Sequence, residues 1–379
     1  MALWAGAAFF WRSAASRPKM RTKMRSMKVL ITGICGFVGN ALARRLVELA
    51  DNLGVFGIDN LMRPGSETNR RLKTQKIRIF HGDIRCASDL ETLPSVDFVI
   101  DAAANPSVLA GVDGKSSSRQ LLEHNLMGTL NLLEFCRREH AGFILLSTSR
   151  VYSIKRLSSL PIAIERARFQ PRFEGESPEG ITQNGVSERF STEAPISLYG
   201  ASKLASETLA LEYGETFDFP VWINRCGVLA GAGQFGTSEQ GIFSYWLHGW
   251  KSGQELRYIG FRGQGFQVRD AFHPDDLADL VLKQLSDSPT PCRRLVNVGG
   301  GLQNSMSLRE LSDWCTERFG PREVLAELAE RAFDIPWLVM DSAQATRLWA
   351  WQPRRTLSSI LGEIADHAEA HPNWLTLAE

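Results

Sequence analysis

At 379 residues, the chain is long enough for one large α/β domain and a smaller second lobe. Its hydrophobic fraction of 44%, charged fraction of 22% and net charge of +1 are typical of a globular protein, and nothing in them suggests nucleic-acid binding. The six cysteines show no C-x-x-C spacing, and there is no run of about 20 apolar residues. We therefore expect a cytoplasmic protein with reduced thiols, no membrane segment and no metal site.

Residues 1–26 differ in composition from the rest of the chain. They contain no Asp or Glu and carry six basic residues after an apolar start. A secretory signal places its charges before its apolar core, which is the reverse order. The segment is either an organelle transit peptide, or upstream sequence translated in error before a natural start at Met27; we favour the second interpretation. In both cases we expect a disordered extension.

The stretch from Met27 to Asp59 predicts a strand, a glycine turn, a helix and a second strand. The glycines let the backbone turn tightly and approach a ligand, and the amino end of the helix offers free N–H groups to an anion. Alone, the glycines could form a turn without a ligand, but together with the second strand and Asp59 they predict a dinucleotide site. The expected contacts from the turn and first helical residues are Gly33, Gly36, Phe37, Val38 and Gly39.

Residues at the ends of the following strands extend the predicted cofactor site. Asp59 can accept the ribose hydroxyls and repel a 2′-phosphate, which predicts NAD over NADP. Arg63 weakens this preference, because a nearby arginine can accommodate the phosphate. The small residues at one strand end leave room for a ligand, although tight helix–sheet packing explains any single alanine equally well. The remaining expected contacts are Asn60, Asp83, Ile84, Ala102, Ala103, Ala104 and Asn125.

The middle of the chain predicts a helix over 119–139, a strand over 143–146 that leads to Thr148, and a helix that begins at Tyr199. Residues 153–190 between them are long, polar and low in helical pattern. Connections of this length usually cover a site or are partly disordered. We therefore predict that this segment is a flap over the substrate.

Tyr199 and Lys203 are four positions apart and share one face of the predicted helix. A free phenol has a pKa of about 10, and a nearby ammonium and a positive nicotinamide ring favour its phenolate form. Tyr199 could then take a proton from a sugar hydroxyl while the adjacent carbon gives hydride to the cofactor, with Thr148 bonded to the same oxygen. Without the glycine motif, this spacing would indicate only a surface pair.

The glycine pattern, Thr148 and the Tyr199–Lys203 pair resemble the extended short-chain dehydrogenase/reductase family, whose members act on nucleotide-linked sugars. The resemblance runs from Met27 to the C-terminus. Stretches at 104–111, 223–236 and 334–337 resemble the epimerases of this family that invert C2 of a CDP-linked 3,6-dideoxyhexose. The resemblance implies tightly bound NAD and a Rossmann-type doubly wound parallel sheet with a smaller mixed α/β C-terminal lobe.

The resemblance also implies roles for individual residues. Tyr199 would be the base, Lys203 would lower its pKa and hold the nicotinamide ribose, and Thr148 would orient the substrate hydroxyl. Two further positions match arginines that bind the substrate diphosphate, although each alone is more simply a surface charge. The implied substrate contacts are Ser149, Arg150, Asn224, Arg269 and Arg331.

The sequence departs from the family pattern in two respects. The 4,6-dehydratases of the family carry Asp-Glu directly after the catalytic threonine to expel water. Here these positions hold Ser149 and Arg150, neither of which is a good acid or base, so elimination is not expected. Asp101 stands where many relatives have histidine, and the sequence offers no explanation for it.

We expect an NAD-binding domain over 27–230 and 266–300 and a nucleotide-sugar-binding lobe over 231–265 and 301–379, with the active site between them. The aromatic stripe at 240–251 is expected to be core. Relatives pair through helices equivalent to 119–139 and 199–213, which implies a homo-oligomer, either a dimer or a tetramer. Three functions remain open: the C2-epimerase, a UDP-hexose 4-epimerase, and a catalytically silent NAD-binding regulator, which intact Thr148, Tyr199 and Lys203 argue against.

Overall fold

The computed structural model describes residues 26–378 except 73–75, 113, 115–116 and 288–293. The predicted extension therefore lies outside the described residues, apart from its last residue. The strands are β1 Met27–Thr32, β2 Leu53–Asp59, β3 Ile77–His81, β4 Phe98–Asp101, β5 Gly142–Thr148, β6 Ile162–Glu165, β7 Arg168–Pro171, β8 Ile181–Thr182, β9 Gly185–Val186, β10 Val221–Cys226, β11 Val228–Leu229, β12 Arg257–Ile259, β13 Val268–Phe272, β14 Leu295–Val298, β15 Ser305–Ser307, β16 Leu325–Glu327 and β17 Trp337–Leu338.

The helices predicted after the glycine turn, over 119–139 and at Tyr199 are all present. They are α1 Phe37–Leu49, α2 Ala87–Glu91, α3 Ser118–Leu122, α4 Gly128–Glu139, α5 Ile154–Ser158, α6 Ser197–Thr216, α7 Ile242–Ser252, α8 Pro274–Leu285, α9 Leu308–Phe319, α10 Ala343–Trp349 and α11 Leu357–Ala370. None of the helices in the described part of the chain combines the length and apolar character that crossing a membrane requires.

In the described residues, the larger sheet has seven parallel strands in the order β14-β10-β5-β4-β1-β2-β3. Successive residues of a strand point to opposite faces. Accordingly, Val29 and Ile31 pack with residues of α1 and α8, whereas Leu30 packs with α4 and α6 on the other face. Helices cover both faces, which confirms the predicted doubly wound parallel sheet.

The turn between β1 and α1 requires glycine at two positions. Gly33 has φ +61°, in the left-handed region, and a Cβ there would lie 3.0 Å from Ala103 Cα. A Cβ on Gly39 would lie 2.3 Å from the carbonyl oxygen of Gly33. The helix can therefore begin directly against the end of β1, so that its free N–H groups face the edge where the strands end.

The predicted helix over 119–139 is present, but it contains an irregular turn. A π-helical turn at Glu123–Met127 joins α3 to α4. Asn125 lies in this turn and is only 1% exposed. Such turns are rare and often mark functional sites, because they redirect side chains within a continuous helix.

The second lobe is built around the smaller sheet, in which β13 pairs with β11, β15 and β17. Its core joins α7, α9 and α11, with Trp246 and Trp250 buried, so the aromatic stripe is core as expected. Helix α10, which the predicted boundaries place in this lobe, packs instead with the larger sheet, where Trp349 contacts Trp222 edge-on at 5.2 Å. The other domain boundaries stay a prediction.

Residues 153–190 do not form the predicted flap. They fold into α5 and the hairpins β6–β7 and β8–β9, and none of them lines the large cavity described below. Leu157, Leu160 and Phe190 pack with Val268 and Trp337 of the second lobe. The sequence pattern of this segment suggests a flap because its buried residues are widely spaced between polar ones. The face that packs against the second lobe is therefore not visible in the pattern.

Candidate active site

A cavity of about 640 Å³ opens where the strands of the larger sheet end and the second lobe begins. This is the position expected for a ligand site in an open α/β sheet. Of the residues predicted from sequence, those that line it are Gly33, Gly36, Phe37, Val38, Gly39, Asp59, Asn60, Arg63, Asp83, Ile84, Ala102, Ala103, Ala104, Thr148, Ser149, Arg150, Tyr199, Arg269 and Arg331.

Asp59 lies at the end of β2, beside the glycine turn. Its Oδ2 accepts a hydrogen bond from Cys35 N and its Oδ1 accepts one from Leu61 N, both at 2.8 Å. Burial raises the pKa of this carboxyl, and the backbone donors oppose that effect. A carboxylate has about four acceptor sites, so capacity for ribose hydroxyls remains.

The next strand end carries a second carboxylate. Asp83 accepts a hydrogen bond from Asn60 Nδ2 at 2.9 Å and pairs with Arg85 at 2.7 Å. Burial works to raise the pKa of Asp83, but the bonds from Arg85 and Asn60 hold it well below its usual range. Asp83 therefore carries a full negative charge beside Ile84 in the wall of the cavity.

Arg63 reaches across the cavity to the chain that enters the second lobe. Its guanidinium donates to the carbonyl oxygen of Phe235 at 2.5 Å and to Gln240 Oε1 at 2.8 Å. Two of its five N–H donors are therefore engaged with protein acceptors, which fixes the guanidinium in the cavity wall.

Tyr199 stands near the start of α6, beside the end of β5. Burial raises the pKa of Tyr199 to about 12, and a hydrogen bond from Thr148 and the charge of Arg150 oppose this rise. Thr148 also accepts a hydrogen bond from Arg150 N at 3.2 Å, which fixes the turn after β5. Arg150 thus supplies a positive charge at the phenol that the sequence motif does not predict.

Lys203 lies one turn further along α6 and does not line the cavity directly. Its side chain is 1% exposed, and burial lowers the pKa of its ammonium, while the charges of Asp101 and Glu207 raise it. Lys203 is therefore a buried charge behind Tyr199, held within a largely anionic surrounding.

The far end of the cavity is strongly basic. Arg150 donates to the carbonyl oxygen of Phe333 at 3.3 Å, and Arg331 donates to that of Ser238 at 3.0 Å. Arg269 Nη2 lies 3.5 Å from Asp334 Oδ1. Burial and the neighbouring Arg269 lower the pKa of Arg150 to about 9. Three guanidinium groups face one carboxylate here, so this end of the cavity suits an anion.

Like Lys203, two further predicted contacts lie outside the cavity lining. Asn224 does not line the cavity, because its place on β10 turns its amide toward α8, where it exchanges hydrogen bonds with Gln284 at 2.9 and 2.8 Å. Asn125 also lies outside the lining. Its amide is committed to the backbone of Asn105 at 2.8 and 3.0 Å and to Ser202 at 3.1 Å, so it supports the wall rather than forming it.

The sequence reasoning missed part of the cavity wall. Residues 234–241, here named the 234–241 loop, run along the cavity, and Glu239 in this loop accepts a hydrogen bond from Ser107 at 2.8 Å. His124, in the π-helical turn, also lines the cavity, and its buried Nε2 lacks a hydrogen-bond partner among the described residues. The 234–241 loop has no local motif that could reveal its role. His124, in contrast, is a polar residue within the apolar pattern of 119–139, and this departure from the pattern could have indicated a place in the cavity wall.

Comparison with known proteins identifies a family. The model described as the NAD dependent epimerase/dehydratase family matches residues 29–299. A CDP-paratose 2-epimerase from Salmonella typhi is 29% identical over 353 residues, which cover 86% of this chain and 95% of that protein. A UDP-glucose 4-epimerase from Mycoplasma pneumoniae is 27% identical over 352 residues, which cover 89% of this chain and 95% of that protein.

Solved structures show the same fold. The crystal structure of a UDP-glucuronic acid 4-epimerase from Bacillus cereus, in complex with UDP-glucuronic acid and NAD, superposes with a TM-score of 0.73 at 24% identity. The match covers 91% of this chain and 99% of that chain.

Proposed function

Because this chain belongs to the NAD dependent epimerase/dehydratase family, we propose that it is a nucleotide-sugar epimerase that inverts C2 of CDP-paratose to give CDP-tyvelose. The observation that carries the proposal is a single cavity with Tyr199 and Thr148 in its wall and Arg150, Arg269 and Arg331 at one end. The similarity to a CDP-paratose 2-epimerase supports the choice of base and sugar.

The residues present fit NAD. The glycine turn lets a pyrophosphate approach the amino end of α1, and Asp59 is placed for the ribose. Asp83 and Ile84 offer a charged acceptor and an apolar face for adenine. When bound, NAD supplies reversible hydride acceptance, so that a sugar carbon can become a planar ketone and then regain hydrogen on either face.

Tyr199 is the proposed base. It takes the proton of the sugar hydroxyl and later returns it, and Thr148 holds the same hydroxyl in place. Burial alone would keep the phenol protonated at neutral pH. The charges of Arg150 and Lys203 therefore have to stabilise the phenolate.

The three arginines are proposed to hold the nucleotide diphosphate. Fork-shaped contacts from guanidinium groups to phosphate are strong and directional. An anchored diphosphate lets the keto sugar turn within the cavity without leaving it. Arg150 is near enough to Tyr199 to affect its ionisation, so it lies where diphosphate and sugar would join.

Elimination is not proposed for this site. The positions where the dehydratases of the family carry Asp-Glu hold Ser149 and Arg150, both in the cavity wall. Neither side chain has the carboxyl group that the dehydratases use to expel water. Epimerisation proceeds by oxidation of the sugar, its rotation and its reduction, and these steps need no acid at these two positions.

The second candidate is a UDP-hexose 4-epimerase, which the similarity to a UDP-glucose 4-epimerase favours. The same residues would serve, because Tyr199 can act on a hydroxyl at either carbon if the sugar is placed differently. A silent NAD-binding regulator is the third candidate, and it would need neither Tyr199 nor the arginines.

The test is to incubate the purified protein separately with CDP-paratose and with UDP-glucose and to resolve the product sugars by NMR. We expect CDP-tyvelose from the first and no epimer from the second. Formation of UDP-galactose alone would establish the second candidate, and no turnover of either substrate, with NAD bound, would favour the regulator. Tyr199→Phe serves as the inactive control.

A further inference from the structure

Gln267 directly precedes β13 and lines the cavity at its basic end. Successive side chains along a strand point to opposite faces, so Gln267 and Arg269 share the face that borders the cavity. The amide Nε2 of Gln267 donates to the carbonyl oxygen of Ile259 at 3.0 Å and to Asp334 Oδ2 at 3.5 Å. The two N–H donors of this amide are therefore both directed at protein oxygens.

The remaining polar atom of this amide has no partner. Oε1 of Gln267 is buried and accepts no hydrogen bond from any residue that the structure describes. Such an oxygen is unfavourable unless a donor is supplied. A half-turn of the amide would place Oε1 against the carbonyl oxygen of Ile259, so Oε1 stays the acceptor. A smaller rotation about the last torsion of the side chain, which is soft in glutamine, can turn it toward the cavity.

The strand pairing shows where Gln267 lies along the cavity. The last residue of β13, Phe272, pairs with Leu229 of β11. Strand β11 begins two residues after β10, and the last residue of β10, Cys226, pairs with Thr148. Strand β13 therefore runs from Gln267 toward the end of the cavity that holds the proposed catalytic residues.

Arg269 lies between Gln267 and that catalytic end, and one carboxylate links the two side chains. Asp334 Oδ1 is 3.5 Å from Arg269 Nη2, and Asp334 Oδ2 is 3.5 Å from Gln267 Nε2. In a nucleotide sugar, the diphosphate separates the sugar from the nucleoside. With the diphosphate at the arginines and the sugar at Tyr199, the nucleoside would lie at Gln267.

The cavity wall beside Gln267 suits the base of that nucleoside. Met306 of β15 pairs with Arg269, and cross-strand partners lie on the same face of a sheet. Leu308 and Leu311, which follow β15, also line the cavity. Apolar side chains of this kind can cover the flat face of a pyrimidine. Cytosine and uracil differ at the edge of the ring, where cytosine carries an amine donor and uracil a carbonyl acceptor.

We propose that Gln267 is a specificity-determining residue whose Oε1 accepts a hydrogen bond from the exocyclic amine of cytosine, so that the site selects a CDP-linked over a UDP-linked sugar. The inference rests on the proposed function in one respect, the placement of the diphosphate at the arginines. Uracil in the same position would direct its carbonyl oxygen at Oε1, and two acceptors cannot bond to each other. The buried oxygen would then stay unpaired, which weakens the binding of UDP.

The test is calorimetric titration of the NAD-loaded enzyme with CDP and, separately, with UDP. We expect the wild type to bind CDP about tenfold more tightly than UDP. Gln267→Met keeps the length of the side chain but removes the acceptor, and it should bring the two dissociation constants within about twofold of each other. The matched control is Arg331→Ala, which removes a proposed contact to the diphosphate. It should weaken the binding of both nucleotides equally and keep the preference for CDP.

Equal binding of CDP and UDP by the wild type would overturn the proposal, as would a preference that persists in Gln267→Met. An equal loss of affinity for both nucleotides in Gln267→Met would also overturn it, because Oε1 would then contact the ribose that both share.

If Gln267→Met does not fold, the wild type decides with the 5′-diphosphate of pyrimidin-2-one riboside, a cytidine analogue that lacks the amine. Binding about tenfold weaker than that of CDP supports the proposal, and equal binding overturns it. Binding of neither CDP nor UDP would reject the proposed diphosphate site and this inference with it. Binding of both without a preference would reject only the role of Gln267.

Discussion

The phenol of Tyr199 lies in surroundings that oppose its ionisation, since burial raises its pKa to about 12. A base at neutral pH needs positive charge nearby, and the structure provides Arg150 at the cavity, while Lys203 lies buried one turn further along α6. The chemistry of this one side chain is therefore decided by residues from three different elements: β5, the turn after it, and α6. A variant that lacks the hydroxyl of Tyr199 should therefore lose proton transfer and keep cofactor binding.

We expect Tyr199→Phe to retain NAD and to lose kcat by a factor of about 10² to 10⁴, the usual contribution of a positioned acid–base group. Bound NAD can be quantified after denaturation, and turnover by NMR of the sugar product. Tyr213→Phe is the matched control on the same helix: its hydroxyl donates to Glu134 at 2.6 Å, away from the cavity, and its loss should leave kcat unchanged. Near-normal turnover of Tyr199→Phe would exclude Tyr199 as the base.

At the scale of elements, the 234–241 loop lines the cavity and is held by contacts to three parts of the chain. Arg63 holds Phe235 and Gln240, Ser107 holds Glu239, and the C-terminal Trp374 stacks on Phe235 at 5.2 Å and donates to the carbonyl oxygen of Gln234 at 3.0 Å. We expect a loop held in this way to slow the release of a bound dinucleotide.

We expect Arg63→Ala to speed NAD release about tenfold, because losing a hydrogen bond to a charged group costs about 1.5 kcal/mol. The quantity to measure is the NAD that remains bound as a function of time after dilution. Arg71→Ala, an exposed position in the same stretch, should release NAD at the wild-type rate. Equal release rates in the two variants would show that the loop does not retain the cofactor.

Helices α7 and α11 meet at a histidine cluster outside the cavity. His248 Nε2 lies 3.0 Å from His367 Nδ1, and the His367 and His371 ring centroids are 4.4 Å apart. Burial, together with the two neighbouring histidines, lowers the pKa of His367 from 6.5 to about 4. The folded state therefore binds this proton less readily than the unfolded chain, and stability is lost as the pH falls from 6.5 towards 4.

Between pH 6.5 and pH 4, we expect the free energy of unfolding to fall by about 2 kcal/mol less in His367→Gln than in the wild type, since the substituted side chain does not titrate. Urea unfolding at a series of pH values measures this difference. His140→Gln, at an exposed position, should follow the wild-type curve. Parallel curves for wild type and His367→Gln would contradict the assignment of this pH dependence to His367.

At the scale of the whole molecule, the two lobes are interleaved rather than sequential. After β5 the chain enters the second lobe and then returns to the larger sheet for α6 and β10. It enters the second lobe again for α7 and returns to the larger sheet for α8. Trp351 Nε1 donates to the carbonyl oxygen of Asp276 at 2.7 Å, which ties the chain after α10 to α8.

The outer surface of the α3–α4 helix exposes two apolar side chains. Leu122 is 37% exposed and Met127 is 46% exposed.

We predict that two copies pair through this surface, because exposed apolar residues on one face favour burial against a partner. Sedimentation equilibrium should give twice the mass of one chain, and Met127→Lys should shift the protein toward the monomer. Leu328→Lys, at a position that is 74% exposed on the second lobe, should leave the mass unchanged. A monomeric wild type would reject the prediction.

What the sequence by itself determined is local. The run from β1 to α1, the glycines between them and the Tyr199–Lys203 spacing involve residues close in the chain, where backbone sterics and helical periodicity act directly. The parallel sheet also follows from these patterns, because apolar strands alternate with amphipathic helices. Most of the residues lining the cavity from Gly33 to Ala104 were therefore predictable one strand end at a time.

Only the tertiary structure decided which side chains meet. Arg63 and Gln240 are 177 positions apart, Asp101 and Thr32 are 69 apart, and neither pair leaves a local pattern. Asn224 was assigned to the wrong site because one residue on a strand decides which face a side chain occupies. Residues 153–190 were assigned to the wrong surface because their partners lie in the second lobe. Such contacts depend on the packing of whole elements, and this packing also places Arg150 beside Tyr199 and brings Arg269 and Arg331 into the same cavity.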